Sequence, residues 1–200
     1  MATRNADVLL LGCGNVGKSH ILRYLRKITY GNDNNNNNNK FNNDMDKIPS
    51  LQSQSTVGVE IDVLRLNGIH NSTNKKRNIR VREVGSPMIP MWKVYSRDCF
   101  CLIYIIDSSN HTQITESTIE FLKILNQLPP NDTNFPILIV NNKIDCVNRL
   151  SEIEISNILC FNELKQNDKI NLTYMETSFS NVNDGLKFGK LILNWIGNHI

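Results

Sequence analysis

Two short stretches carry residue types that could grip a nucleotide. The first, LLLGCGNVGKSH, sets Gly12, Gly17, Lys18 and Ser19 in the spacing GxxxxGKS. Glycines so placed let the backbone curl until consecutive N–H groups, here through Cys13, Gly14, Asn15 and Val16, aim at phosphate oxygens. Lys18 adds a cation, and the Ser19 hydroxyl can ligate magnesium. A bare match to this spacing arises by chance in about one chain in a hundred. Its position between an aliphatic run and a helical pattern argues for a phosphate site over a ligand-free turn, because the positive end of a helix dipole then faces the anion. The second stretch, ILIVNNKIDC, holds Asn142, Lys143 and Asp145 in the pattern NKxD. An ionised Asp145 can accept hydrogen bonds from N1–H and the amino group of guanine. Adenine lacks that donor pair and would leave a desolvated carboxylate partly unpaired, at a cost of at least about 1–3 kcal/mol. Lys143 can lay its aliphatic stem along the base, and Asn142 can tie the base to the phosphate loop. Asparagine-rich chains produce NKxD easily, so its weight comes from following a buried strand. A third stretch, METSFS from Met175 to Ser180, reads alone as a turn or helix start. Beside the other two, Thr177 and Ser178 become candidates to present backbone N–H groups to guanine O6.

These loops need strand ends and helix starts to hold them. Val8–Leu11 is short, aliphatic and followed by glycine, as a buried parallel strand is. Lys18–Tyr30 carries Ile21, Leu22, Leu25 and Ile28 at helical spacing. Val57–Leu66 alternates Val57, Val59, Ile61 and Val63 with polar residues or glycine, a half-exposed strand that pairs antiparallel with Ile79–Val84. Cys99–Ile106 and Pro136–Val140 read as buried strands and Leu172–Thr177 as a weaker one. Helices are expected over Thr112–Leu128, stopped by Pro129 and Pro130, over Ser151–Leu159, and from an Asp184 cap through Leu186, Phe188, Leu191, Ile192 and Trp195. Strands alternating with helices imply an α/β fold with a mostly parallel sheet, whose ligands bind outside the carboxyl ends of the strands.

The 200 residues suit one domain, interrupted by a low-complexity asparagine tract at about 31–50 that carries too little apolar surface to order itself. A net charge of +3, with KKR at Lys75–Arg77 as a solvated loop, is too small and scattered for nucleic-acid binding. Five cysteines without a CxxC pair and four histidines without ligand spacing support neither a disulfide framework nor a zinc site, and a reducing, cytoplasmic setting is expected. No residue run approaches a membrane span. Position 2 is alanine and the last residues WIGNHI hold no cysteine, so no direct lipid anchor is expected. A monomer is expected.

Three motifs in this order resemble the small GTPases over nearly the whole chain. QSTVGVEID around Thr56 and Gly58, the WxxY of Trp92–Tyr95 and IIDSSN after the central strand look like the ADP-ribosylation-factor-like branch. The segment REVGSPMIPMW, Arg82 to Trp92, looks closest to a divergent member of that branch. The resemblance implies a phosphate-loop fold with a six-stranded, mostly parallel sheet and helices on both faces, GTP or GDP with Mg2+ as ligands, and effector and regulator proteins bound through the switch regions. It makes Thr56 the switch I threonine, its hydroxyl on magnesium and its backbone near the γ-phosphate. Gly85 becomes the switch II glycine whose N–H senses that phosphate, and Glu83 the acid that reaches magnesium through water. The chain departs from the pattern in several places. Glu83 stands for an aspartate and Ser55 for a proline. Lys18 and Thr56 are 38 residues apart, which fits an inserted tract. With only about six residues ahead of the first strand, the amphipathic N-terminal helix of the branch is not expected. Pro87 occupies the place of the water-orienting glutamine, so no catalytic residue is assigned and GTP hydrolysis is expected to be slow or partner-dependent. The second reading is a non-hydrolysing, GTP-bound interaction module. A phosphate-loop kinase is the third, disfavoured by NKID and METS. Met88 and Ile89 read as a surface for a partner that recognises the GTP form.

Overall fold

Buried over its whole length, Asp7–Leu11 forms β1 at the centre of the sheet. The computed structural model describes residues 7–30, 56–66, 77–128 and 134–199. The asparagine tract, Ser55, Lys75, Lys76, Pro129 and Pro130 lie outside them. In chain order the further elements are α1 (Lys18–Tyr30), β2 (Val59–Leu66), β3 (Arg77–Val84), a 3-10 turn (Ser86–Met91), α2 (Trp92–Ser96), β4 (Cys101–Asp107), α3 (His111–Leu125), β5 (Phe135–Asn142), α4 (Glu152–Ile158), α5 (Phe161–Lys165), β6 (Ile170–Glu176) and α6 (Val182–Asn198). The six strands order as β2-β3-β1-β4-β5-β6. Among the described residues only β2 and β3 pair antiparallel, Val59 opposite Val84 and Leu66 opposite Arg77. The expected mostly parallel sheet is therefore the observed one.

Alternation along the central strands divides the core into two layers. Val8, Leu10, Ile103, Ile105, Leu138 and Val140 face α1 and α6, where Ile21, Leu25, Ile192 and Ile196 close the layer. Leu9, Leu11, Leu102, Tyr104, Ile137 and Ile139 face the other way, against Trp92, Phe121 and Ile155. A strand covered on both sides must be apolar throughout, which is why CLIYIID is buried over its whole length. At the lower end of the sheet, Arg80 grips the buried Asp7 carboxylate with bonds of 2.6 and 2.7 Å.

Three elements refine or depart from their sequence reading. In the alternating part of β2, Ile61 (56% exposed) and Val63 (45%) turn outward, as does Val57 before the strand (74%). The other face carries Glu60 and Asp62, which both hold Arg26 of α1, the Glu60 bond being 2.6 Å, and then Leu64 and Leu66, buried in the core layer under α1. The ion pair and these two leucines together turn that face of the edge strand inward. The final helix is capped by Asn181, not Asp184: the Asn181 side chain accepts from the Asp184 N–H at 2.9 Å and donates to its carboxylate at 2.6 Å. The helix expected over Ser151–Leu159 is observed as α4, and a second short helix, α5, follows it. Ser151 and Glu154 form a capping box on α4, and Cys160, in the left-handed region at φ 50°, turns the chain into α5.

Candidate functional site

Residues 12–17 leave the end of β1 and enter α1 as a tight loop, with Asn15 at φ 62° and Gly17 at φ 102°. Lys18 is 6% exposed and donates to the Gly12 carbonyl at 2.7 Å and the Cys13 carbonyl at 2.8 Å. Burial pulls its pKa down while nearby Glu83 opposes that fall. At Gly17 close approach matters as much as conformation. A Cβ there would lie 2.5 Å from Nδ2 of Asn142, which donates to the Val16 carbonyl at 2.9 Å. Asn142 therefore ties the NKID loop to the phosphate loop, as its residue type suggested.

On the other side of α1's first turn, three oxygens converge. Ser19 Oγ donates to Glu83 Oε1 at 2.6 Å, Thr56 Oγ1 donates to the same oxygen at 3.1 Å, and the two hydroxyls lie 3.1 Å apart. Magnesium ligands at about 2.0–2.1 Å give adjacent octahedral oxygens a separation of about 2.9 Å, close to that spacing. Glu83 has no exposed surface, and among the described residues its Oε2 has no hydrogen-bond partner. Burial raises its pKa, partly offset by the bonds from Ser19 and Thr56. A buried carboxylate with an open oxygen beside two hydroxyls suits a hard divalent cation. Among the described residues no three His, Cys, Asp or Glu side chains cluster as a metal site, so a cation here would depend on hydroxyls and phosphate as well.

Switch II differs from its reading at two residues. The Gly85 N–H is committed to the Gly58 carbonyl at 2.9 Å, so in this conformation it does not face the phosphate loop. A Cβ on Gly85 would lie 1.9 Å from the Thr56 carbonyl oxygen, so only glycine lets the two switch segments touch. The residue overhanging the phosphate loop is Ser86, whose Oγ lies 3.3 Å from where a Cβ on Gly14 would stand. Pro87 follows in the first turn of the 3-10 segment, exposed and without a side-chain amide. Met88 and Ile89 are half-buried against the Trp92 and Tyr104 layer. The apolar side chains turned outward are Met91 at 42% and Val94 at 49% exposure. Ile89, Pro90 and Trp92 border an open groove of about 360 Å³ against Lys123 and Ile124 of α3.

The base side is assembled from three strand ends. Lys143, at φ 64°, follows β5 and places Nζ 2.6 Å from Asp107 at the end of β4. Ser178 Oγ donates to Asp145 Oδ1 at 2.7 Å, and Thr177 Oγ1 donates to Asn142 Oδ1 at 3.2 Å. The Thr177 N–H is taken by the Asn141 carbonyl at 2.8 Å. The amides that could meet a base are thus those of Ser178 and Phe179, a shift of one residue from the expected pair. Asp107 and Ser86 were not picked out from sequence. The only trace of Asp107 was its place at a strand end opposite Asn142, a register visible once the strands pair.

The model of the ADP-ribosylation factor family matches residues 1–198. Human ADP-ribosylation factor-like protein 16 is 26% identical over 171 residues, covering 85% of this chain and 76% of that protein. Human ADP-ribosylation factor-like protein 4C is 27% identical over 165 residues, covering 82% of this chain and 73% of its own. A solved structure of the Arl6 BBS3 small GTPase from Trypanosoma brucei, with bound nucleotide analogue GppNp, superposes with a TM-score of 0.63 at 17% identity. It covers 98% of this chain and 99% of that one, a likeness of fold.

Proposed function

The chain belongs to the ADP-ribosylation factor family of small GTPases, and from that premise we propose a guanine-nucleotide switch, acting in intracellular trafficking, whose GTP hydrolysis is slow or depends on a partner. One observation carries this reading: the phosphate loop, the switch hydroxyls with Glu83, and the NKID and METS loops all meet at the carboxyl ends of β1, β4, β5 and β6. Amides of residues 12–18 and Lys18 hold the phosphates. Ser178 holds Asp145 toward N1–H and the amino group of guanine, while Asp107 anchors Lys143 along the base. Ser19 and Thr56, with Glu83 through a water, would hold magnesium, whose positive charge would offset the negative charge of the nucleotide's phosphates. Thr56 comes from switch I and touches both Ser19 and the buried Glu83. Loss of the γ-phosphate removes one of its attachments, and the switch segments separate.

Pro87 governs the rate. Neither it nor Ser86 carries an amide that both accepts from and donates to an attacking water. An amide worth a hundredfold corresponds to about 2.7 kcal/mol of barrier. The same observation favours a second reading, a GTP-bound interaction module that does not turn over. Exposed Val57, Ile61, Val63, Met91 and Val94, on both switches and the strand between them, form the partner surface in either case. Single-turnover hydrolysis of radiolabelled GTP with Mg2+ decides. The switch reading expects slow turnover accelerated by a partner protein. A rate as fast as a stimulated GTPase, without any partner, would overturn the assignment of Pro87.

A further inference from the structure

Behind the METS loop stands a side chain that neither the phosphate nor the base chemistry has used. His20 directly follows Ser19 on α1, is half-buried, and places Nε2 3.0 Å from the Phe179 carbonyl oxygen. One turn further on, Tyr24 meets the His20 ring edge to face at 5.3 Å and packs on the Phe179 ring at 5.4 Å. Its hydroxyl donates to the Asn181 carbonyl at 3.3 Å. The loop is thus gripped from two sides, by Asp145 in front through Ser178 and by α1 behind at Phe179 and Asn181. A carbonyl only accepts, so Nε2 must carry the proton that the bond needs. The first turn of α1 also carries Lys18 and Ser19, so one rigid helical turn touches the phosphate end and the base end of the site.

We propose that His20 is a positioning residue for base recognition: its bond to Phe179 holds the loop where the amides of Ser178 and Phe179 meet guanine O6. The proposal rests on the guanine-nucleotide reading above. It departs from a simple tie between helix and loop by what it predicts for O6. A tie that only supports the fold would affect every ligand of the site alike. A residue that sets the height of those two amides affects only ligands with a strong acceptor at that position.

The test compares His20→Ala with the unaltered protein by dissociation of GDP and of 6-thioguanosine diphosphate. The thio analogue keeps the N1–H and amino donors read by Asp145 but offers sulfur, a weak acceptor, in place of O6. His20→Ala is expected to speed GDP release about five- to tenfold, the loss of one side chain–carbonyl bond, and thio-GDP release by less than about twofold. His20→Gln, which can return an N–H donor to Phe179, is expected to restore GDP release to within about threefold. Equal acceleration of both nucleotides, or none of either, overturns the proposal and leaves the guanine reading standing. Failure of the unaltered protein to bind GDP at all overturns both. If His20→Ala does not fold, Tyr24→Phe, which removes only the hydroxyl on Asn181, carries the same comparison. It is expected to accelerate GDP release more than thio-GDP release, and an equal effect overturns the proposal.

Discussion

Replacing Gly85 with alanine should weaken GTP binding far more than GDP binding. The added Cβ would stand 1.9 Å from the Thr56 carbonyl oxygen, where real Cβ contacts essentially never fall under 3.0 Å, so switch I must retreat by more than 1 Å. The neighbouring atom is backbone, which has no rotamer to yield. Retreat strains the Gly85 N–H bond to the Gly58 carbonyl at 2.9 Å and the Thr56 hydroxyl bond to Glu83 at 3.1 Å. At about 0.5–1.5 kcal/mol for each bond lost, the GTP-like state loses about 1–3 kcal/mol, a fall in affinity of about five- to 150-fold. GDP, which has no γ-phosphate for switch I to meet, should lose less than about threefold. The assay is equilibrium fluorescence titration with labelled GDP and a labelled non-hydrolysable GTP analogue, both in Mg2+. Gly58→Ala is the control, because a Cβ there meets nothing within 4 Å and both affinities should stay unchanged. An unchanged GTP-to-GDP preference in Gly85→Ala would refute the contact between switches as the basis of nucleotide sensing.

Other consequences follow from the same geometry. Pro87→Gln should speed single-turnover hydrolysis at least about tenfold, part of the hundredfold assigned to a water-orienting amide; no change would show that the amide is needed elsewhere. Asp107→Asn removes the charge that anchors Lys143 and should raise the GDP dissociation constant about three- to tenfold, measured by titration, with no change in hydrolysis of the bound GTP. Burial raises the Glu83 pKa, so in metal-free protein its contribution to stability is complete below the unfolded value and is lost as pH rises through the folded one. Magnesium requires the carboxylate and reverses that sign. The rise in unfolding temperature that Mg2+ confers on the GDP-bound protein should therefore grow as pH rises above the ordinary carboxylate range and through the raised Glu83 pKa, and a constant increment would exclude Glu83 from the metal site.

The legible parts of the molecule were those encoded within one loop or one strand. GxxxxGKS, NKID and the apolar runs Val8–Leu11 and Cys99–Ile106 each carry their own geometry, and their order implies the parallel sheet. Asn142 was read as the bridge to the phosphate loop because its carboxamide is the kind of group that a backbone carbonyl needs, and it donates to Val16. What escaped were choices settled by partners distant along the chain. Gly85 reads as a free amide until Gly58, on the far side of β2 and β3, claims it. The half-exposed pattern of β2 leaves open which face turns inward until Arg26, more than 30 residues earlier, holds Glu60 and Asp62 and the leucines beyond them, Leu64 and Leu66, enter the core. Met88 and Ile89 read as a sticky surface, yet the 3-10 turn rolls them half inward and leaves Met91 and Val94 outside. Asp107 shows its role only once β4 lies beside β5 and brings it level with Asn142, within 2.6 Å of Lys143 Nζ.

If this site holds a guanine nucleotide, freshly purified protein must release one on denaturation. GTP or GDP is expected near one equivalent per chain, with GTP prominent because Pro87 leaves hydrolysis slow. Release of an adenine nucleotide, or an empty site that neither GTP nor GDP refills, would contradict it.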